Sequence, residues 1–183
     1  MTPSGLQVFL FEKRDWARKA IDSLDVVGAD LSQVSLMGRG RCGARSDRRY
    51  SVAANSGHVA YTEPFWKNLG NRLSSPTMSI PHGREWISLA GPVVGTLVAV
   101  LDGAAALDDI TACAATLMGL GVQRDRALEC ARRLKRGDTL LAMHGHGEDA
   151  SLGREILHGL AKSPRRMAFH VTVENSGAGQ VMA

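Results

Sequence analysis

The stretch TLLAMHGHGEDASLGREILHGLAKSPRRMAFHVTV, residues 139–173, changes period twice. Residues 139–143 are a short apolar run and predict a strand. Residues 148–162 place Leu152, Ile156, Leu157 and Leu160 at helical spacing and predict a helix with those four side chains inward. Residues 167–173 alternate Met167, Phe169, Val171 and Val173 with Ala168, His170 and Thr172, the period of a strand. The same order stands near the start of the chain. Residues 6–11 are an apolar run rich in Val and Phe. A helix follows from Lys13 to about Gly28, with Ala17, Ala20, Ile21 and Leu24 on one face and Gly28 able to close it. Residues 34–37 form the next strand.

Two strand–helix–strand units, β-α-β and β-α-β, predict an α+β domain of the ferredoxin-like, split βαβ type. The connection between strands two and three, normally a tight hairpin, runs over residues 39–137 and carries its own apolar periodicity. The expectation is therefore one domain over 1–183 with an inserted loop and helical subdomain at 39–137 and a Gly-rich, flexible tail at 175–183.

Within the insertion, Phe65-Trp66 begins a short helix through Leu73, and Pro76 and Pro81 punctuate the residues after it. Residues 89–101 are the most apolar segment and hold no charge before Asp102. As a helix they reach about 20 Å, short of the roughly 30 Å hydrocarbon core of a bilayer. Asp108 or Asp109 can cap a second helix over 110–120. Gly91, Pro92, Gly95 and Gly103, with several alanines, predict a closely packed helical hairpin whose small residues serve packing or oligomer formation. Residues 124–136 form a further helix with Ala127, Leu128, Ala131 and Leu134 as its buried stripe, a Glu129–Arg133 pair and Gly137 at its end.

The chain has 183 residues, 44% hydrophobic and 22% charged, which suits an ordinary globular domain and excludes a collagen or a disulfide scaffold. Arg39, Arg41, Arg45, Arg48 and Arg49 stand against Asp47 alone, so this run accounts for the whole net charge of +4. It reads as a solvated loop, with an anion or acidic-partner site as the alternative. A nucleic-acid binder would spread its cations along a face with aromatic groups among them, and the ferredoxin-like RNA modules stack bases on central-strand aromatics. Residues 139–143 have none, which disfavours nucleic acid. Cys42, Cys113 and Cys130 are odd in number and lack Cys-x-x-Cys spacing, as in a reducing compartment. Residues 1–12 lack a signal-peptide pattern, so the expected location is cytoplasmic, with membrane association through the hairpin as the alternative.

Several pieces in order resemble the bacterial general stress protein family, the heat- or low-temperature-induced domains of unknown function. They are Phe65-Trp66-Lys67-Asn68-Leu69, Ala90-Gly91-Pro92-Val93-Val94, Leu101-Asp102-Gly103-Ala104, Leu117-Met118-Gly119-Leu120-Gly121-Val122, Arg132-Arg133-Leu134-Lys135 and Leu140-Leu141-Ala142-Met143-His144-Gly145. The resemblance covers most of residues 6–160. It implies a small α/β domain with an inserted glycine-rich hydrophobic hairpin, and it supplies no catalytic residues. Lys67, Asn68, Asn71, Arg72, Ser74 and Ser75 depart from the apolar pattern of that family and speak against membrane insertion.

The residues support three functional expectations, one of them a peripheral membrane module whose residues 87–120 contact lipid or a membrane-protein partner. The favoured one is a non-catalytic protein that acts through a homo-oligomer, dimer or higher, or through a protein partner, because no catalytic signature is present and a helix-covered sheet leaves a second face to cover. The third is a metal-binding domain or small enzyme using His144, His146 and His170. Extended residues i and i+2 point the same way, and three imidazoles suit zinc or another borderline metal. No other cofactor is expected.

Overall fold

In the computed structural model, residues 5–40, 51–53, 64–82, 85–103, 109–145, 148–161 and 169–174 are described. The first unit is strand β1 (Gly5–Phe11), helix α1 (Arg14–Val26) and strand β2 (Val34–Gly40). In α1 the residues Ala17, Ala20, Ile21 and Leu24 are all buried, as their spacing requires. Gly28 takes the left-handed conformation just past the helix, and its N–H and that of Ala29 close onto the Asp25 and Leu24 carbonyls.

The last unit is β6 (Thr139–Met143), α6 (Glu148–Ala161) and β7 (Phe169–Glu174). Leu157 of α6 is buried, whereas Leu152, expected to face inward, is 45% exposed. Periodicity identifies the apolar stripe but not how far the neighbouring layer extends beneath it.

Between these units lie β3 (Ser51–Ala53), α2 (Pro64–Arg72), β4 (Thr77–His82), β5 (Glu85–Ala90), α3 (Val93–Gly103), α4 (Asp109–Gly119) and α5 (Arg124–Arg136). Among the described residues the strands form one sheet in the order β3-β4-β5-β2-β6-β1-β7, and every neighbouring pair is antiparallel. Strand β6 lies between β1 and β2, and β1 lies between β6 and β7. The two strand–helix–strand units are therefore interlocked.

The insertion differs from an all-helical hairpin. Its apolar run at 89–101 ends a strand at Ala90, turns at Gly91 and begins a helix only at Val93. Long apolar runs satisfy a central strand and a buried helix equally well. The strand half is fixed by pairing, since Leu36 to Gly40 of β2 align with Ala90 to Trp86 of β5.

Both sheet faces are covered. Leu6, Val8 and Leu10 of β1 share a core with Met37, Leu140 and Ala142 and with apolar residues of α3, α4 and α5. Phe9 and Phe11 point the other way, into a core built with α1, α2 and α6. The inserted helices thus supply the second cover that a bare sheet face demands.

Further contacts hold the segment between β2 and β6 to the outer elements. Trp66 of α2 is fully buried and its Nε1–H donates to the Arg39 carbonyl (3.3 Å). Arg72, at the end of α2, forks onto Asp22 and Asp25 of α1 at 2.7 and 2.8 Å. Helix α5 ends at Gly137, whose φ of +103° allows its N–H to reach the Leu134 carbonyl. Arg133, expected to pair with Glu129, instead meets Asp138 at 2.6 Å, while Glu129 faces Arg132 and Arg136.

Candidate functional site

A buried cluster of polar groups lies where β2, β6 and α3 meet. Ser35 sits mid-strand in β2, with Val34 and Leu36 facing one core and its own side chain facing the other. It is fully buried. Its Oγ lies 2.9 Å from His144 Nε2, just past the end of β6. The backbone N–H of Val93, at the start of α3, donates to the same Oγ at 3.0 Å. His144 is held from behind by its own N–H, which donates to the Gln33 carbonyl at 2.7 Å.

The Val93 N–H occupies one acceptor position of Ser35 Oγ, which leaves the hydroxyl able to donate to Nε2 in one imidazole tautomer or to accept from Nε2–H in the other. Burial holds the imidazole neutral, lowering the His144 pKa from 6.5 to about 4.

Gly91 makes the approach feasible. Its φ is +93°, and a Cβ there would be driven into the Val34 carbonyl oxygen and Ser35 Cα. Its N–H donates to Ser75 Oγ at 3.1 Å.

A serine hydroxyl bonded to an imidazole is the pairing that activates a nucleophile. Here the geometry serves another end. Ser35 Oγ has no exposed surface on which a substrate could sit, and it already caps the first turn of α3. Among the described residues no carboxylate bonds to His144. The cluster ties two strands and a helix together, with the serine supplying an N-cap from outside the helix's own sequence.

The residues singled out from sequence are dispersed. His144 commits Nε2 to Ser35, and His146 lies outside the described residues. His170 aligns with Phe9 of β1, which aligns with Leu141 of β6, so its backbone lies two strand spacings from β6, roughly 10 Å, and on the side of β6 away from Ser35. Among the described residues no three His, Cys, Asp or Glu side chains are grouped for a metal. Arg39 reaches the Lys135 carbonyl at the C-terminus of α5 (3.2 Å), whereas Arg41, Arg45, Arg48 and Arg49 lie outside the described residues, as do Cys42, Asp108 and the tail at 175–183. Gly91 is the close-packed glycine of the expected set. Pro92, Gly95 and Gly103 are exposed, and among the described residues nothing lies within 4 Å of a Cβ at Gly95 or Gly103. The close contact of α3 with α4 is made elsewhere, at Thr96 and Gly119.

Ser35 is not among the residues that the sequence singles out. Its signal is a lone hydroxyl inside an apolar strand, on the same side as Met37, where a buried polar group needs a partner. No family model, curated protein or solved structure matches the chain.

Proposed function

We propose that this chain is a non-catalytic, stress-associated α+β protein that works by self-association. The frame we infer is ferredoxin-like, formed by β7-β1-β6-β2 with α1 and α6, and its insertion lies between β2 and β6. The strand order and the interlocked units support that reading, as does the resemblance of the chain to general stress proteins.

The observation that carries the proposal is the outer face of α3. Pro92, Gly95, Ala99 and Gly103 form an exposed row of small residues, flanked by partly buried Val98, Val100 and Leu101. Helix α3 has no charge before Asp102. Small residues at this spacing let two helix axes approach within about 8 Å. A second copy of the same face would take the flanking apolar side chains out of water, in the symmetric arrangement that most homodimers use. Among the described residues no helix is long and apolar enough to cross a membrane. Among the described residues Cys113 and Cys130 are buried and form no disulfide, which suits the cytoplasmic setting we assign.

Sedimentation equilibrium tests this. The wild-type chain is expected to dimerise, and Ala99→Glu, at an exposed position, is expected to give a monomer with an unchanged circular dichroism spectrum and a melting temperature that no longer depends on concentration. A wild-type chain that stays monomeric at high micromolar concentration refutes the proposal. Binding of such a monomer to lipid vesicles would put a membrane-surface role in its place.

A further inference from the structure

A second feature lies on the opposite side of the sheet from α3. Helices α1 and α6 diverge over the Phe11 side chain and leave a cleft of about 520 Å³. Its walls are Trp16 and Val26 of α1, Val27 just past that helix, and Ile156 and Leu160 of α6. The volume falls in the range that holds small organic ligands. Val26 is 87% exposed and Val27 43%, so the mouth presents apolar surface to water at the end of a helix where polar residues would be expected.

The charged groups of the lining define the ligand. Asp22 is ion-paired to Arg72 at 2.7 Å, a guanidinium it shares with Asp25. Ser23 turns its hydroxyl back to the Lys19 carbonyl (2.9 Å). Lys19 remains: its Nζ lies over the Trp16 ring, 4.6 Å from the centroid, and among the described residues it has no carboxylate partner. The cleft therefore combines an apolar floor, an aromatic wall and, at the rim, one cation with no ion pair among the described residues.

We infer that the α1–α6 cleft binds a small amphipathic monocarboxylate, with its hydrocarbon body over Phe11 and between Val27, Ile156 and Leu160 and its carboxylate at Lys19. A neutral ligand of the same shape would leave the ammonium without a counter-ion. A dianion would meet the Asp22 carboxylate beside it. This site is independent of α3, and its failure would leave the self-association proposal standing.

The test uses decanoate and, as the uncharged control, decanol, titrated into the full chain and followed by chemical shifts of the Trp16 indole and the Ile156 methyls. One saturable site is expected. Lys19→Ala should weaken decanoate about fivefold and leave decanol unchanged, the effect of one partly exposed ion pair. Ile156→Trp, which fills the cleft, should abolish binding of both. Val27→Glu, at a position 43% exposed just past α1, should weaken decanoate more than decanol. Absence of saturation, equal loss of both ligands in Lys19→Ala, or binding that survives both Ile156→Trp and Val27→Glu would each overturn the inference. So would contacts in the ligand-free protein showing the cleft filled by residues 162–168 or by a second copy.

Discussion

Acidification from pH 7 to 4 should destabilise this protein through one imidazole. In the folded chain His144 is held neutral by burial, with a pKa near 4, whereas in the unfolded chain it takes up its proton near 6.5. The depressed value belongs to a base, which sets the sign of the effect. Above pH 6.5 neither state binds the proton and the folded state has its full stability. Between 6.5 and about 4 the unfolded state binds more protons, and stability falls as pH falls. Below about 4 both states are protonated and this contribution levels off. At about 1.4 kcal/mol per pH unit, the separation corresponds to roughly 3 kcal/mol, a large share of the 5–15 kcal/mol typical of a folded domain. The physical event is protonation of a desolvated imidazole beside the Ser35 hydroxyl, a charge that burial disfavours. Urea unfolding at half-unit pH steps, read by tryptophan fluorescence, should show a slope approaching 1.4 kcal/mol per pH unit near pH 5. His144→Gln, which retains an acceptor oxygen but does not titrate, should flatten that slope. Asp30 is held below the usual carboxylate range by the Ser32 hydroxyl and backbone N–H, so its loss falls at lower pH and leaves this window clear. A His144 titration midpoint near 6.5 by NMR, or an equal slope in His144→Gln, would refute the reasoning.

Three further outcomes are expected. Gly91→Ala should cost more than about 2 kcal/mol in thermal unfolding, because the left-handed backbone and the collision with the Val34 carbonyl act together. Arg72→Ala removes the fork onto Asp22 and Asp25 and should cost about 1 kcal/mol, less at high salt, since all three side chains are partly exposed. Cys130, its thiol pushed up to about 11 chiefly by burial, should resist thiol reagents at pH 8 in the native protein and react at an ordinary rate once urea exposes it.

The elements legible in the sequence are those whose signals are local. Helix α5 shows its full extent in the chain, with Ala127, Ala131 and Leu134 setting the buried stripe and Gly137 stopping it. Helix α1 and strands β1 and β6 are legible for the same reason. Strands β4 and β5 are obscured, since Pro76 and Pro81 suggest loop and the residues after Trp86 merge with the helix beyond them. Their extended conformation is stabilised by pairing with β2 and with each other. Leu152 and the Glu129–Arg133 pair show a related limit. Spacing brings residues to one side of a helix, but the surroundings determine whether that side is covered and which partner a charge takes.

Composition and periodicity are enough to establish an α+β chain with two similar strand–helix–strand units, because backbone propensity and the alternation of apolar residues act over a few positions. The Ser35–His144 contact joins residues 109 apart in the chain, and nothing near either one announces the other. The same holds for the cleft over Phe11, which exists only because α1 and α6 diverge above it. Burial, hydrogen-bond partners and open space belong to the packing of distant segments, and they arise only when the sheet brings those segments together.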